Sequence, residues 1–133
     1  MIIGTIRQAG DVWVLAEVWL PDRGARRELR MRVDTGADRT TLSLADLRLD
    51  PEPAPQADDA VLVSGAGGTY VAGRAEPAMI RLRHDSGPVW ATPISVVLLD
   101  APPGHATLGL DVLRQLLVVI DPGEAAVRME PLV

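Results

Sequence analysis

Asp34, Thr35 and Gly36 stand at the end of an alternating segment, residues 29–44, LRMRVDTGADRTTLSL. Leu29, Met31 and Val33 fall on one face of a strand and Arg30 and Arg32 on the other, a period of two that stops at Asp34. A carboxylate delivered by a half-buried strand is costly to keep there without a partner or a task. Gly36 permits a tight bend in which a turn presents its own amides and the carboxylate towards one point. Such an acid suits general acid–base work on water. The same triplet is also an ordinary turn, so its weight depends on what surrounds it.

The elements that must position this turn are strands. Residues 2–7 and 12–20 are apolar runs joined by a polar, Gly-containing link, the pattern of a hairpin. In the second run Val12, Val14, Ala16, Val18 and Leu20 share one face, with Trp13, Leu15, Glu17 and Trp19 opposite, which predicts cover on both sides. Residues 21–24, PDRG, make a turn, and residues 28–33 return as the strand that carries Asp34. Residues 40–44 predict a short strand and 45–48 a brief helical segment, before a Pro-rich and acidic surface loop at 50–59.

Residues 60–63 and 70–71 are β-prone and flank a glycine-rich tip, Ser64 to Thr69, whose glycines exclude a stable helix and predict a hairpin. A phosphate-binding loop is the competing reading of these glycines. It lacks a Lys-Ser/Thr pair and a helix-forming sequence behind it. Residues 78–83 and 89–99 predict two further strands, separated by the turn at 84–87. Thr107-Leu108-Gly109 follows, with helical spacing of Val112, Leu113 and Leu116 and with Asp111 suited to the helix start. Residues 118–121 and 126–129 close the chain as strands, joined by a turn that Asp121 opens.

At 133 residues the chain has the size of one domain, 1–133, too short for two lobes with an Asp-Thr-Gly in each. A net charge of −5 with no basic run argues against nucleic acid as a partner. All 13 basic residues are Arg, the bias of a GC-rich, bacterial genome. No cysteine is present, so disulfides and thiolate metal sites are excluded, and His84 and His105 stand too far apart for a paired metal motif. No cofactor or metal is expected. Neither a secretory leader pattern nor an apolar run of membrane-spanning length occurs, which predicts a cytoplasmic protein without membrane association.

Three features now stand in order: Asp-Thr-Gly-Ala at 34–37, a Gly-rich hairpin at 65–68, and an apolar-Gly-helix element at 107–117. In this order and spacing, over residues 30–120, the chain resembles the retropepsin-like (retroviral-type) aspartic proteases. The resemblance implies an all-β, closed-barrel-like fold with a glycine-rich flap hairpin and one short helix after the second motif. It also implies that the Thr107-Leu108-Gly109 element passes beneath the catalytic turn.

The implied activity is that of an aspartic endopeptidase, and its chemistry needs two carboxylates. Two acids held together cannot both ionise freely and share one proton. No other Asp of this chain has the right setting, so the second carboxylate is expected from Asp34 of another copy in a twofold homodimer. The resemblance gives Asp34, Thr35 and Gly36 the catalytic turn, with Thr35 stiffening it across the dimer. It assigns Ala37, Asp38 and the flap tip, Ala66, Gly67, Gly68 and Thr69, to contacts with an extended peptide. Hydrophobic side chains are expected to fill the adjoining subsites. Ala37 offers the carboxylate no hydroxyl, which implies a mildly acidic pH optimum.

Leu110 departs from the viral pattern, which carries Arg there as partner to the acid at Asp38, so an interface of the viral kind is not implied. Arg114 lies three residues past Asp111, the spacing of a helical ion pair. Two rival readings remain: a non-catalytic binding or dimerisation module of the same fold, and an unrelated β-barrel in which Asp34 only closes a turn.

Overall fold

The computed structural model of the chain describes residues 1–7, 10–50, 60–65, 68–87 and 89–132. The first apolar runs form β1 (Ile2–Ile6) and β2 (Val12–Leu20). A single 3-10 turn, Pro21–Arg23, ends at Gly24 with φ of 60°, and the chain returns as β3 (Ala25–Val33). β4 (Thr41–Ser43) and α1 (Leu44–Leu47) follow the Asp34 turn. Next come β5 (Ala60–Gly65), β6 (Gly68–Arg83) and β7 (Val89–Leu99). The chain then forms β8 (Thr107–Leu108), α2 (Leu110–Leu113), β9 (Leu116–Asp121) and β10 (Ala126–Pro131).

The fold is all-β, with two short helices among the described residues. Its ten strands share one sheet, in the order β5-β6-β7-β4-β8-β3-β2-β1-β10-β9. A further pairing of β6 with β2 rolls six of them, β2, β6, β7, β4, β8 and β3, into a closed barrel. β2 makes this possible by its length. Its start, at Val12 and Trp13, pairs with β1, while Ala16 to Trp19 pair with β6. Among the described residues no helix is long and apolar enough to cross a membrane.

Val14, Ala16, Val18 and Leu20 of β2 point into the barrel and are buried with Leu29, Met31, Ile80, Leu82, Val96, Leu98 and Leu108. Each large aliphatic side chain removed from water in this way contributes about 1.5–3 kcal/mol. The outer face of β2 differs from the two-sided cover that its composition predicts. Trp13 is buried, but Leu15 and Trp19 are 54% and 41% exposed. Trp19 lies instead against Arg26, its register partner on β3, with the guanidinium 5.9 Å from the ring centroid. A strand-end tryptophan can be shielded by a long cation as well as by core.

β6 is one long strand where its sequence reads as two. It runs from the hairpin tip to Arg83 and pairs with β7 through a register shift between Ala75 and Ala78. Pro77, which has no amide to donate, sits in that irregularity. The Pro-rich loop expected at 50–59 lies outside the described residues from 51 onward.

Candidate active site

The Asp34 turn is built by insertion. β3 and β4 are joined by the turn, yet they do not pair with each other; β8, from far along the chain, slides between them. It runs parallel to β3 and antiparallel to β4, with Thr107 opposite both Arg32 and Thr41. The amide of Arg32 donates to the Ala106 carbonyl at 3.0 Å and that of Asp34 to the Leu108 carbonyl at 3.1 Å. Asp34 therefore leaves the barrel on a strand held from both sides.

Within the turn the Gly36 amide donates to Asp34 Oδ1 at 2.8 Å, and the Ala37 amide to the Asp34 carbonyl at 3.3 Å. Asp34 and Gly36, singled out from sequence, are thus joined directly. A β-carbon on Gly36 would lie 3.2 Å from that Oδ1, crowding the oxygen that the amide holds. Thr35 and Asp38 are exposed and Ala37 is half-buried. The Asp34 side chain keeps 33% of its surface, and Arg32 Nη2 lies 3.5 Å from its Oδ2.

A second layer fixes the far side of the turn. The Leu110 amide donates to the Ala37 carbonyl at 2.8 Å, and the Asp111 amide to that of Asp38 at 3.2 Å. Thr40 is fully buried. Its hydroxyl donates to Asp111 Oδ1 at 2.7 Å and accepts from the Gly109 amide at 3.1 Å, while its own amide donates to Asp111 Oδ2 at 2.9 Å. Gly109 passes so close that a β-carbon there would meet the Arg39 carbonyl carbon at 2.5 Å and the Thr40 nitrogen at 2.9 Å. Only glycine fits.

The sequence pattern assigns Asp111 to the helix start, and its Oδ1 does accept the Val112 amide at 2.9 Å. Its larger part, the clamp on Thr40, is not legible locally, because the two residues are 71 positions apart. The spacing also suggests an Asp111–Arg114 ion pair. Among the described residues that pair is absent, and the Asp111 carboxylate is taken by Thr40. Arg32 is likewise a neighbour of Asp34 that the strand pattern treats only as outward-facing.

A groove of about 600 Å³ lies between the turn, at Gly36, Ala37 and Asp38, and β5, at Val61 and Val63. β5 and β6 form the expected hairpin, closed by the pair Gly65 and Gly68, with the Ser64 and Thr69 hydroxyls 3.1 Å apart just behind it. Of the flap residues, Gly68 and Thr69 lie on β6; Ala66 and Gly67 fall outside the described residues. The single chain thus brings Gly36, Ala37 and Asp38 to one groove with the hairpin strand. Asp121 is a turn residue as expected, accepting the Glu124 amide at 3.2 Å.

Among the described residues no three His, Cys, Asp or Glu side chains gather as a metal-holding cluster. What the arrangement can do chemically is present one braced, partly exposed carboxylate on a turn whose next residues, Gly36, Ala37 and Asp38, line the groove, while Asp34 itself is not among the lining residues. In comparison with known proteins, the chain matches no family model and no curated protein.

Proposed function

We propose that this chain is a retropepsin-like aspartic endopeptidase that acts as a homodimer, with one Asp34 from each copy. The observation that carries this reading is the strand insertion: Leu108 and Gly109 thread beneath a turn that offers an amide-braced Asp34 to solvent. The hairpin of β5 and β6, facing that turn across the groove, supports it.

In this mechanism the two Asp34 carboxyls share one proton. The ionised member takes a proton from water as the oxygen attacks the scissile carbonyl carbon, and the protonated member donates to the carbonyl oxygen. The tetrahedral diol then collapses. Its C–N bond breaks, the nitrogen receives a proton from an Asp34 carboxyl, and acid and amine products leave with no covalent enzyme intermediate. The hairpin tip supplies backbone hydrogen bonds to the extended peptide and excludes water.

A non-catalytic binding module is the second reading, favoured by one contact: Arg32 beside Asp34, which occupies an oxygen that water would need. Peptide-library cleavage by the wild type and by Asp34→Asn, with sedimentation of both, separates the two. The hydrolase reading expects cleavage that falls by about 10²–10⁴-fold in the variant while the dimer persists. Equal cutting by both proteins removes Asp34 from the mechanism, and a peptide-binding wild type that never cuts favours the module.

A further inference from the structure

A separate, polar cavity of about 300 Å³ is lined by Arg32, whose Nη2 lies 3.5 Å from Asp34 Oδ2. Arg7, Trp13, His105 and Thr107 also line it. Strand register explains the grouping: Trp13 of β2 lies opposite Arg32 of β3, which lies opposite Thr107 of β8. The Arg7 guanidinium stacks 4.7 Å from the Trp13 ring centroid. Two guanidiniums therefore share one small cavity, and no carboxylate of the described residues lines it.

Trp13 gives the cavity a fixed wall. Its side chain is nine-tenths buried, and its indole N–H lies out of reach of solvent, so the ring reports on the cavity without itself binding the occupant. Guanidinium forks match planar carboxylates. The volume sits at the low end of ligand pockets, about 300–1,000 Å³, which suits one side chain or a chain terminus. Basic groups gathered here are also local, since the chain as a whole carries −5.

We propose that this cavity is a carboxylate-binding subsite, which gives the Asp34 centre a preference for peptides with an acidic side chain or a free C-terminus next to the reacting bond. The inference rests on the peptide-hydrolase reading for its role and departs from the hydrophobic subsites expected from the resemblance. Arg32 then has two partners to serve, Asp34 and the incoming carboxylate, so the substrate relieves Asp34 of its cation as it binds.

The test is an NMR titration of the full chain that follows the indole N–H of Trp13. Three probes are used: N-acetylglutamic acid α-amide, with a side-chain carboxylate; N-acetylglutamine, with a terminal one; and N-acetylglutamine α-amide, with none. The expected result is a saturable shift with at least one carboxylate probe and none with the diamide, binding becoming about tenfold weaker in Arg7→Gln and in Arg32→Gln. Which carboxylate probe responds identifies the source. Equal responses to all three probes, or responses unchanged in both variants, overturn the subsite.

If Arg32→Gln loses its native spectrum, Arg7→Gln, at an exposed residue, carries the comparison. Cleavage of matched Glu and Gln peptides keeps the two readings apart. Cutting both equally overturns the subsite and leaves the hydrolase; carboxylate-specific binding without any cutting leaves the subsite and overturns the hydrolase.

Discussion

Thr40 is the residue on which the Asp34 turn leans. Its hydroxyl and amide meet both oxygens of Asp111, and it accepts the Gly109 amide. Thr40→Val keeps the shape but leaves the Gly109 amide without its acceptor and Asp111 Oδ1 with the Val112 amide alone. The expected loss of unfolding free energy is about 1–3 kcal/mol, read from urea denaturation. Gly109→Ala places a β-carbon against Arg39 and Thr40 backbone atoms that cannot rotate away. Overpacking of that kind costs about 1–3 kcal/mol, and under the proposed hydrolase reading cleavage should fall as well, because the strain is applied against the Asp34 turn. A Gly109→Ala protein with wild-type urea midpoint and wild-type cleavage would show that β8 has room to shift.

At the scale of elements, the barrel closes where β2 meets β6, and Glu17 marks that seam. Its carboxylate bonds Arg26 Nε at 2.9 Å on one side and Arg81 Nη1 at 3.0 Å on the other. The Arg26 hydrogen bond, followed by the charges of Arg26 and Arg81, holds Glu17 below its ordinary value of 4.5. A carboxyl lowered in the folded state adds stability that is complete above the unfolded value and drains away as pH falls through the folded one. Glu17→Gln should therefore cost less than about 1 kcal/mol near neutrality, where the pair is partly solvated. Its stability curve should meet that of the wild type as the pH drops below about 4.5, since that is where the wild type loses the contribution. Parallel curves down to strong acid would remove the seam contacts from the account. The hairpin of β5 and β6 extends beyond this barrel, and its cross-strand pair, Leu62 and Val71, is an exposed apolar surface.

For the molecule as a whole, the proposed chemistry sets a requirement on assembly. One chain carries one Asp-Thr-Gly, so activity per chain should fall on dilution in parallel with the dimer measured by sedimentation. Activity that stays constant per chain while the protein is monomeric would mean that Asp34 works alone or not at all. Most of the architecture was legible beforehand, because period-two alternation and turn residues mark strands from a few neighbouring positions. β1, β2, β3, β5, β7 and β10 lie close to where the pattern puts them, and the glycine-rich tip joins β5 to β6. That legibility includes the position of Asp34 at a strand end and of Gly109 before a helix, both of which depend on local sequence. Tertiary structure alone decided the rest. The entry of β8 between β3 and β4, the Thr40–Asp111 clamp, the Arg32 contact with Asp34 and the Arg7–Trp13–Arg32 cavity join residues whose partners are set by register and barrel closure. Local sequence governs backbone preference over a few residues, whereas which distant strands become neighbours depends on how the whole chain buries its apolar faces at once.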